Sequence, residues 1–204
     1  MPEEVFAYIS KFVTLTEKEK ALFLEQVQIM TCFPRQALTQ IGDLEQHIYF
    51  IKKGVLRKFF YKENEEITTQ LSMEGDLVCC SVSFLSGEPS EFVLETMESS
   101  TLLFITKSSL ETLFSFSYNF EKMGRLVWLE WLLFREDWDI SRMIKTPRER
   151  FNMLLREKPG LLNRVPQKYI ASLLNIEPET FSRYKKTIKP HSKGSPNSHH
   201  APGI

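Results

Sequence analysis

The chain has 204 residues with 26 acidic and 26 basic side chains, so its formal net charge is zero. Its hydrophobic fraction of 42% is typical of a globular protein, and its length allows one large or two small domains. No apolar run is long enough to cross a bilayer, and the first residues lack a signal-peptide pattern. Three cysteines without metal-type spacing indicate reduced thiols. We therefore expect a cytoplasmic protein with no membrane partner.

The charges are distributed very unevenly along the chain. Residues 1–140 contain 13 basic and 22 acidic side chains, whereas residues 141–204 contain 13 and 4. A basic C-terminal part on an acidic body is typical of proteins that bind nucleic acid. Charge alone is weak evidence, because basic segments also bind membranes and acidic partners.

The first two thirds of the chain predict a helix followed by a β domain. A capping box at Thr16-Glu17-Lys18-Glu19 indicates the start of a helix. Short apolar segments separated by turn residues then run from about residue 34 to residue 105. That spacing favours an antiparallel sandwich or jelly roll.

A long helix is predicted from about Asn119 to Ile144, and it carries two apolar stripes. One stripe suffices to dock the helix on its own β domain, while the other needs a second copy of the chain or further intrachain burial. We assign the first stripe to the dimer interface, with Gly124 allowing close approach of two backbones. This stripe comprises Phe120, Gly124, Val127, Trp131, Phe134 and Trp138. The neighbouring stripe comprises Leu126, Leu129, Leu133 and Ile140.

A second capping box, Thr146-Pro147-Arg148-Glu149, predicts that a new helical domain starts near residue 146. Within it, Val165 to Lys186 has the pattern of a helix-turn-helix motif. Asn175 lies at the turn, where it tolerates a positive φ, and Pro178 suits the first turn of the second helix. The apolar positions expected to pack between the two helices are Ile170, Leu173, Leu174, Ile176, Phe181 and Tyr184.

The polar side chains of this motif are the candidate DNA contacts. Glutamate can accept a hydrogen bond from cytosine N4, and arginine can bind guanine O6 and N7, so Glu179 and Arg183 are the expected base readers. Lysines position the protein on phosphates without specifying sequence. The full candidate set is Gln167, Lys168, Pro178, Glu179, Thr180, Ser182, Arg183, Lys185 and Lys186. The alternative is an ordinary helical hairpin with a solvated polar face.

Several segments together resemble the Crp/Fnr superfamily of dimeric bacterial transcription regulators. They are Ile48 to Arg57, Glu74-Gly75-Asp76, the long helix, and Glu179 to Arg183. The resemblance implies an α+β fold with an N-terminal antiparallel β jelly-roll domain of the cyclic-nucleotide-binding type, a long dimerisation helix and a C-terminal all-α helix-turn-helix domain. The expected bounds are 1–118 for the sensor domain, 119–145 for the dimerisation helix, 146–190 for the DNA-binding domain and 191–204 for a disordered tail.

The resemblance also implies the partners. They are double-stranded DNA with a pseudo-palindromic operator and a second copy of the chain, and the family allows RNA polymerase and an unidentified small-molecule effector. We expect the β-hairpin wing that many members carry after the recognition helix to be missing, since only Thr187 to Pro190 precedes the expected disordered tail. The alternative function is an effector-sensing or protein-interaction module with weak or no DNA binding.

The effector segment, residues 75–91, departs from the members that bind cyclic AMP. An ungapped alignment places Cys80 at the family's ribose-binding glutamate, Ser90 at its phosphate-binding arginine and Glu91 at the following serine. Because the phosphate cation is lost, we expect that cyclic AMP does not bind in the usual way. The diverged pocket comprises Gly75, Cys79, Cys80, Ser81, Ser90 and Glu91. Cys79 and Cys80 are expected to be buried barrel residues, with a thiol sensor as the alternative.

No enzyme signature is visible. The chain shows no nucleophilic triad and no phosphate loop, and His47 alone before the tail cannot supply a histidine cluster for a metal. We therefore expect no catalytic residue, no metal and no cofactor.

Overall fold

A computed structural model of the protein describes residues 3–187. The expected disordered tail and the segment 188–190, on which the expected absence of a wing depends, lie outside the described residues. The helices are α1 (Glu3–Ile9), α2 (Glu17–Gln26), α3 (Ser81–Ser86), α4 (Lys107–Phe116), α5 (Tyr118–Ile144), α6 (Pro147–Glu157), α7 (Leu161–Arg164), α8 (Gln167–Leu174) and α9 (Pro178–Lys186). The strands are β1 (Gln28–Cys32), β2 (Ala37–Thr39), β3 (His47–Lys53), β4 (Leu56–Lys62), β5 (Glu65–Ser72), β6 (Leu77–Val78), β7 (Val93–Thr96) and β8 (Ser100–Thr106).

The strands form two four-stranded antiparallel sheets, with the orders β1-β8-β3-β6 and β2-β7-β4-β5. The β4–β5 hairpin turns through Glu63 and Asn64, both at positive φ, which is the geometry that favours a two-residue hairpin loop. Between the sheets lies a buried apolar core of Cys32, Tyr49, Ile51, Leu56, Val78, Cys80, Leu94 and Leu102. This is the predicted jelly roll, and the α+β fold class is confirmed.

Helix starts follow the local sequence signals. Thr16 and Thr146 each accept a hydrogen bond from the backbone of the glutamate three residues later, and that glutamate bonds back, so both predicted capping boxes are present. Pro147 occupies the first turn of α6, where its missing N–H removes no hydrogen bond. Helix α6 therefore starts where its capping box predicts, and residues 147–187 are called the C-terminal domain below.

The C-terminal domain shares one hydrophobic core with the jelly roll. Val55, just before β4, and Leu71 of β5 are buried together with the core of the C-terminal helices. On the domain side this core consists of Phe151, Leu154, Leu161, Val165, Ile170, Ala171, Leu173, Leu174 and Phe181. The helices are thus seated on the outer face of the sheet that contains β4 and β5.

Candidate DNA-reading face and effector segment

The turn between α8 and α9 has the geometry that its sequence predicts. Asn175 adopts a left-handed conformation with φ 52° and ψ 55°, and its N–H bonds to the carbonyls of Ala171 and Ser172. Asparagine tolerates this region better than most residues, so the chain reverses here at little cost. Pro178 lies in the first turn of α9. The two helices therefore form a tight helical pair.

The inner face of this pair is apolar and its outer face is polar. Phe181 is fully buried, and its ring packs edge-on against Phe151 with a centroid separation of 5.5 Å. On the same helix Glu179 and Arg183 are exposed, and Arg183 Nη2 donates to Thr180 Oγ1 over 3.3 Å. The spacing thus leaves the expected base-reading side chains on the solvent side.

The other candidate DNA contacts lie around this face. Gln167, Lys168, Pro178 and Lys186 are exposed, whereas Ser182 and Lys185 are partly buried. Lys185 Nζ donates to the carbonyl of Leu162 over 3.2 Å, so this lysine is partly engaged within the domain.

Arg150, which the sequence analysis missed, fixes the position of α8. Its buried guanidinium donates to the carbonyl of Leu174 from Nε (3.3 Å) and Nη2 (2.9 Å), and to Lys145 from Nη1 (2.7 Å). These carbonyls lie at the ends of α8 and α5, where backbone acceptors lack helical partners. The cation therefore ties α8 to the junction between the long helix and α6. Its only local signal was a basic residue in the first turns of an amphipathic helix.

Arg57 joins the jelly roll to α8. Its fully buried guanidinium lies between the rings of Phe59 and Tyr169, 4.0 Å and 3.6 Å from their centroids. The same group forms ion pairs with Glu66 (2.8 Å) and Glu95 (3.0 Å). Cation–π contacts strengthen when both groups are desolvated, so Arg57 holds the two domains together.

Ion pairs link the effector segment to the C-terminal domain. Arg164 binds Glu74 with two hydrogen bonds of 2.7 and 2.6 Å and also contacts Glu98, and Lys158 pairs with Asp76. Hydrogen bonding from Arg164 lowers the pKa of Glu74 to about 2. The Glu74-Gly75-Asp76 turn at the start of the effector segment is therefore in direct contact with the helical domain.

Inside the effector segment, the residues that the sequence comparison aligned with nucleotide-binding positions form hydrogen bonds within the chain. Ser90 is buried, and its hydroxyl donates to the Phe92 carbonyl (2.8 Å) and accepts from the Phe92 N–H (3.1 Å). Cys80 is buried, Ser81 is partly buried, and Gly75 and Glu91 are exposed. No cation stands at the arginine position.

Glu45, also missed by the sequence analysis, supplies a buried carboxylate to this segment. It is 2% exposed, and its Oε2 accepts from the Thr39 hydroxyl (2.6 Å) and from the Cys80 N–H (3.2 Å). Its Oε1 accepts from the His47 N–H (3.0 Å). A buried carboxylate is tolerated when donors surround it in this way. The N–H of Cys80, just before α3, therefore already donates its hydrogen bond to the Glu45 carboxylate.

The adjacent thiols of Cys79 and Cys80 are buried, and burial raises the pKa of both. The reactive form of cysteine is the thiolate, so this environment lowers their reactivity. The geometry favours the packing interpretation of the pair over the thiol-sensor alternative.

The apolar stripes of α5 face differently from the sequence expectation. Phe120 and Gly124 are buried within the chain, and a Cβ on Gly124 would meet the Phe114 ring at 2.4 Å. Val127, Trp131 and Trp138 are partly buried, and Phe134 is exposed. Phe120 and Gly124 therefore pack against other parts of their own chain, so their assignment to a dimer interface is wrong.

The neighbouring stripe of α5 is the more exposed one. Leu129, Leu133 and Ile140 are each about half exposed, and Leu126 is partly buried. The sequence spacing showed that α5 has two apolar stripes. Which of them packs against the rest of the chain depends on tertiary contacts that the spacing does not contain.

Within residues 3–187, no helix is long and apolar enough to cross a membrane. In the same part of the chain, no three His, Cys, Asp or Glu side chains are grouped so that they could hold a metal ion.

Comparison with protein families and curated proteins gives one match. Residues 32–115 match the cyclic nucleotide-binding domain family, over most of the jelly roll and into α4. No curated protein matches the chain.

Solved structures with the same architecture include bacterial regulators. The chain is similar to the c-di-GMP-responsive global regulator CLP of Xanthomonas campestris, with 17% identity, a TM-score of 0.63, and coverage of 88% of this chain and 96% of that one. FixK2 of Bradyrhizobium japonicum gives 17% identity, a TM-score of 0.66, and coverage of 78% and 83%. A Crp/Fnr-family regulator of Eubacterium rectale gives 16% identity, a TM-score of 0.63, and coverage of 84% and 82%. At these identities the matches show a shared fold.

Proposed function

We propose that this chain, which has the fold of the Crp/Fnr regulators, is a sequence-specific DNA-binding regulator of transcription that acts as a homodimer. The observation that carries the proposal is the polarity of α9. Phe181 is buried, whereas Glu179 and Arg183 are exposed near the start of the helix. Residues at the start of a recognition helix contact base edges in the major groove. The basic excess of residues 141–204 supports binding to phosphates.

The dimer is proposed to form through the exposed stripe of α5. Leu126, Leu129, Leu133 and Ile140 follow the 3,4-spaced pattern of a two-helix seam, except at Glu136. A pair of protomers would present two copies of α9 to half-sites about one DNA turn apart, and the site would then be pseudo-palindromic. Such a regulator would act in the cytoplasm and could contact RNA polymerase there.

Control by cyclic AMP is not part of this proposal. The arginine position of the effector segment holds Ser90, whose hydroxyl is bonded to the Phe92 backbone, and Glu45 occupies the Cys80 N–H. Burying a phosphate beside Ser90, where the chain places no cation, costs several kcal/mol. We expect no micromolar binding of cyclic AMP in isothermal titration calorimetry.

Random-site selection with the purified protein tests the DNA-binding proposal. We expect enrichment of a pseudo-palindromic sequence. Arg183→Ala should relax the preference at one base pair of each half-site and cost about 1–3 kcal/mol of binding free energy. Lys186→Ala is the matched control on the same helix, and it should weaken all sequences by similar factors.

Two results would contradict the proposal. An unchanged sequence preference in Arg183→Ala would remove the base-reading assignment. Failure of the wild-type protein to enrich any sequence at low salt would favour a sensing or interaction module without DNA binding.

A further inference from the structure

A large cavity lies where the jelly roll, α1, α5 and the C-terminal domain meet. Its volume is about 1060 Å³. The three tryptophans of the chain, Trp128, Trp131 and Trp138, all contribute to its wall, together with Phe92 and Phe134. Cavities that bind small molecules are mostly apolar and contain a few polar groups that fix the ligand. This wall therefore suits a ligand with a bulky apolar body.

Lys58 is the buried cation of this cavity. Leu56 on the same strand belongs to the jelly-roll core, while Arg57 points outward to Tyr169, so strand alternation directs Lys58 to the inner side. The residue is 9% exposed and lines the cavity. The pairing register of β4 and β5 shifts between Lys58 and Phe59, and such bulges re-aim neighbouring side chains.

The ammonium of Lys58 has unused hydrogen-bonding capacity. It can donate three hydrogen bonds, and within residues 3–187 it makes one, to the carbonyl of Cys79 over 3.3 Å. In the same part of the chain no carboxylate oxygen lies within 4.0 Å of its Nζ. Burial consequently lowers the pKa of Lys58. A buried cation without an ion-pair partner gains free energy from an anion that enters beside it.

Nearby carboxylates are already engaged elsewhere. Glu74 pairs with Arg164, Asp76 pairs with Lys158, and Glu130 accepts a hydrogen bond from the Tyr8 hydroxyl. The buried Glu45 is held by donors from Thr39, Cys80 and His47. Of the basic side chains on the cavity wall, Lys158 is paired with Asp76, and Lys11, Lys52 and Arg135 are partly or fully exposed. Lys58 is therefore the buried cation that a ligand on the inner side of the cavity would meet.

We propose that this cavity binds an organic monocarboxylate with a bulky apolar body, whose carboxylate pairs with Lys58 while its body packs on the tryptophan wall. Leu154, Lys158 and Leu173 of the C-terminal domain line the same cavity, so the ligand contacts both domains. Any effect of this ligand on DNA binding rests on the proposed function. The binding of the ligand to the cavity does not depend on it.

The first test compares decanoate with 1-decanol on the wild-type protein. Binding is measured by isothermal titration calorimetry and by tryptophan fluorescence, which reports on the cavity because every tryptophan lies in its wall. We expect saturable binding of decanoate that is about tenfold or more tighter than that of decanol, since a charge-assisted hydrogen bond is added. Equal affinity for the two compounds, or no saturable binding of decanoate, would overturn the proposal without needing a variant.

The second test uses three variants. Lys58→Met keeps the length of the side chain without the charge, and it should weaken decanoate binding by about tenfold or more while leaving decanol nearly unchanged. Lys58→Arg retains a cation and should preserve the preference for decanoate. Lys52→Met is the matched control, because Lys52 also lines the cavity but is only partly buried.

An equal loss of decanoate affinity in Lys52→Met and Lys58→Met would refute the assignment of the carboxylate to Lys58. The site selection described above is performed on wild-type protein without decanoate. Failure of ligand binding therefore leaves the DNA-binding result standing, and failure of site selection leaves the calorimetric result standing.

Discussion

The α8–α9 pair and the effector segment contrast in how they use their polar groups. On α9 the side chains of Glu179 and Arg183 face solvent. In the effector segment, Ser90 bonds to the Phe92 backbone and the Cys80 N–H bonds to Glu45. One region keeps its hydrogen-bonding groups available, and the other satisfies them internally. The chain therefore leaves one set of polar side chains free for a partner and uses the other set to hold its own core.

The largest expected effect comes from disrupting the proposed pairing of two protomers. Leu133 is 55% exposed on α5, and Leu133→Glu would place a charge at the centre of the proposed seam. We expect a monomer in sedimentation velocity and a loss of operator affinity of about two orders of magnitude or more, since paired half-sites gain avidity.

Phe33→Glu is the matched control for this change. Phe33 is 80% exposed and lies in the segment between β1 and β2, outside the proposed α5 seam, so its replacement should leave the dimer intact. A Leu133→Glu protein that still sediments as a dimer would place the interface elsewhere.

The next effect tests whether the hydrogen bonds of Glu45 stabilise the effector segment. Glu45→Ala would leave the Thr39 hydroxyl and the Cys80 N–H without their acceptor in a buried site. We expect the free energy of unfolding to fall by about 3 kcal/mol, because each unsatisfied buried group costs about 1–3 kcal/mol. Chemical denaturation measures the change.

Glu91→Ala is the control in the same segment, because Glu91 is exposed. It should change the free energy of unfolding by less than about 0.5 kcal/mol. Similar losses in the two variants would mean that Glu45 has no special role in holding the segment.

The smallest effect concerns the ion pair between Arg164 of α7 and Glu74, in the turn that precedes the effector segment. The Arg164 hydrogen bonds lower the pKa of Glu74 from 4.5 to about 2, so this contact stabilises the folded state above about pH 4.5 and is lost as the pH falls towards 2. In thermal unfolding, Glu74→Gln should lower the Tm by a constant amount near neutral pH, and the difference from wild type should shrink below about pH 4.5. The effect is small, because surface ion pairs contribute less than about 1 kcal/mol.

Glu63→Gln changes an exposed carboxylate in the β4–β5 turn that has no ion pair within residues 3–187, so it should show no such convergence. A difference for Glu74→Gln that grows as the pH falls would contradict the assigned pairing.

The architecture of the C-terminal domain could be predicted because its signals are local. A proline at the start of α9, an asparagine at the turn and apolar residues at helical spacing each constrain a few neighbouring residues. The capping boxes at Thr16 and Thr146 predicted the starts of α2 and α6 correctly for the same reason. The jelly roll was predictable as a class from the density of short strands and turns.

The features that the sequence did not reveal depend on distant parts of the chain. Glu45 lies in a loop, and its partners come from β2, β3 and the start of α3. Lys58 lies in β4, a strand with three basic residues, and its burial becomes apparent only once the tertiary packing around β4 is known. The two stripes of α5 have similar composition, so sequence spacing could not decide which one contacts the jelly roll.

Because Val55 and Leu71 share one core with the C-terminal helices, the jelly roll and the C-terminal domain are not independent folding units. Two domains with a common interior melt as one cooperative unit, so a core defect in either should appear in the other's hydrogen exchange. A fragment ending near residue 145 would expose the buried side chains of Val55 and Leu71 to water. Such a surface promotes self-association, so the isolated jelly roll is expected to aggregate rather than to behave as an autonomous module.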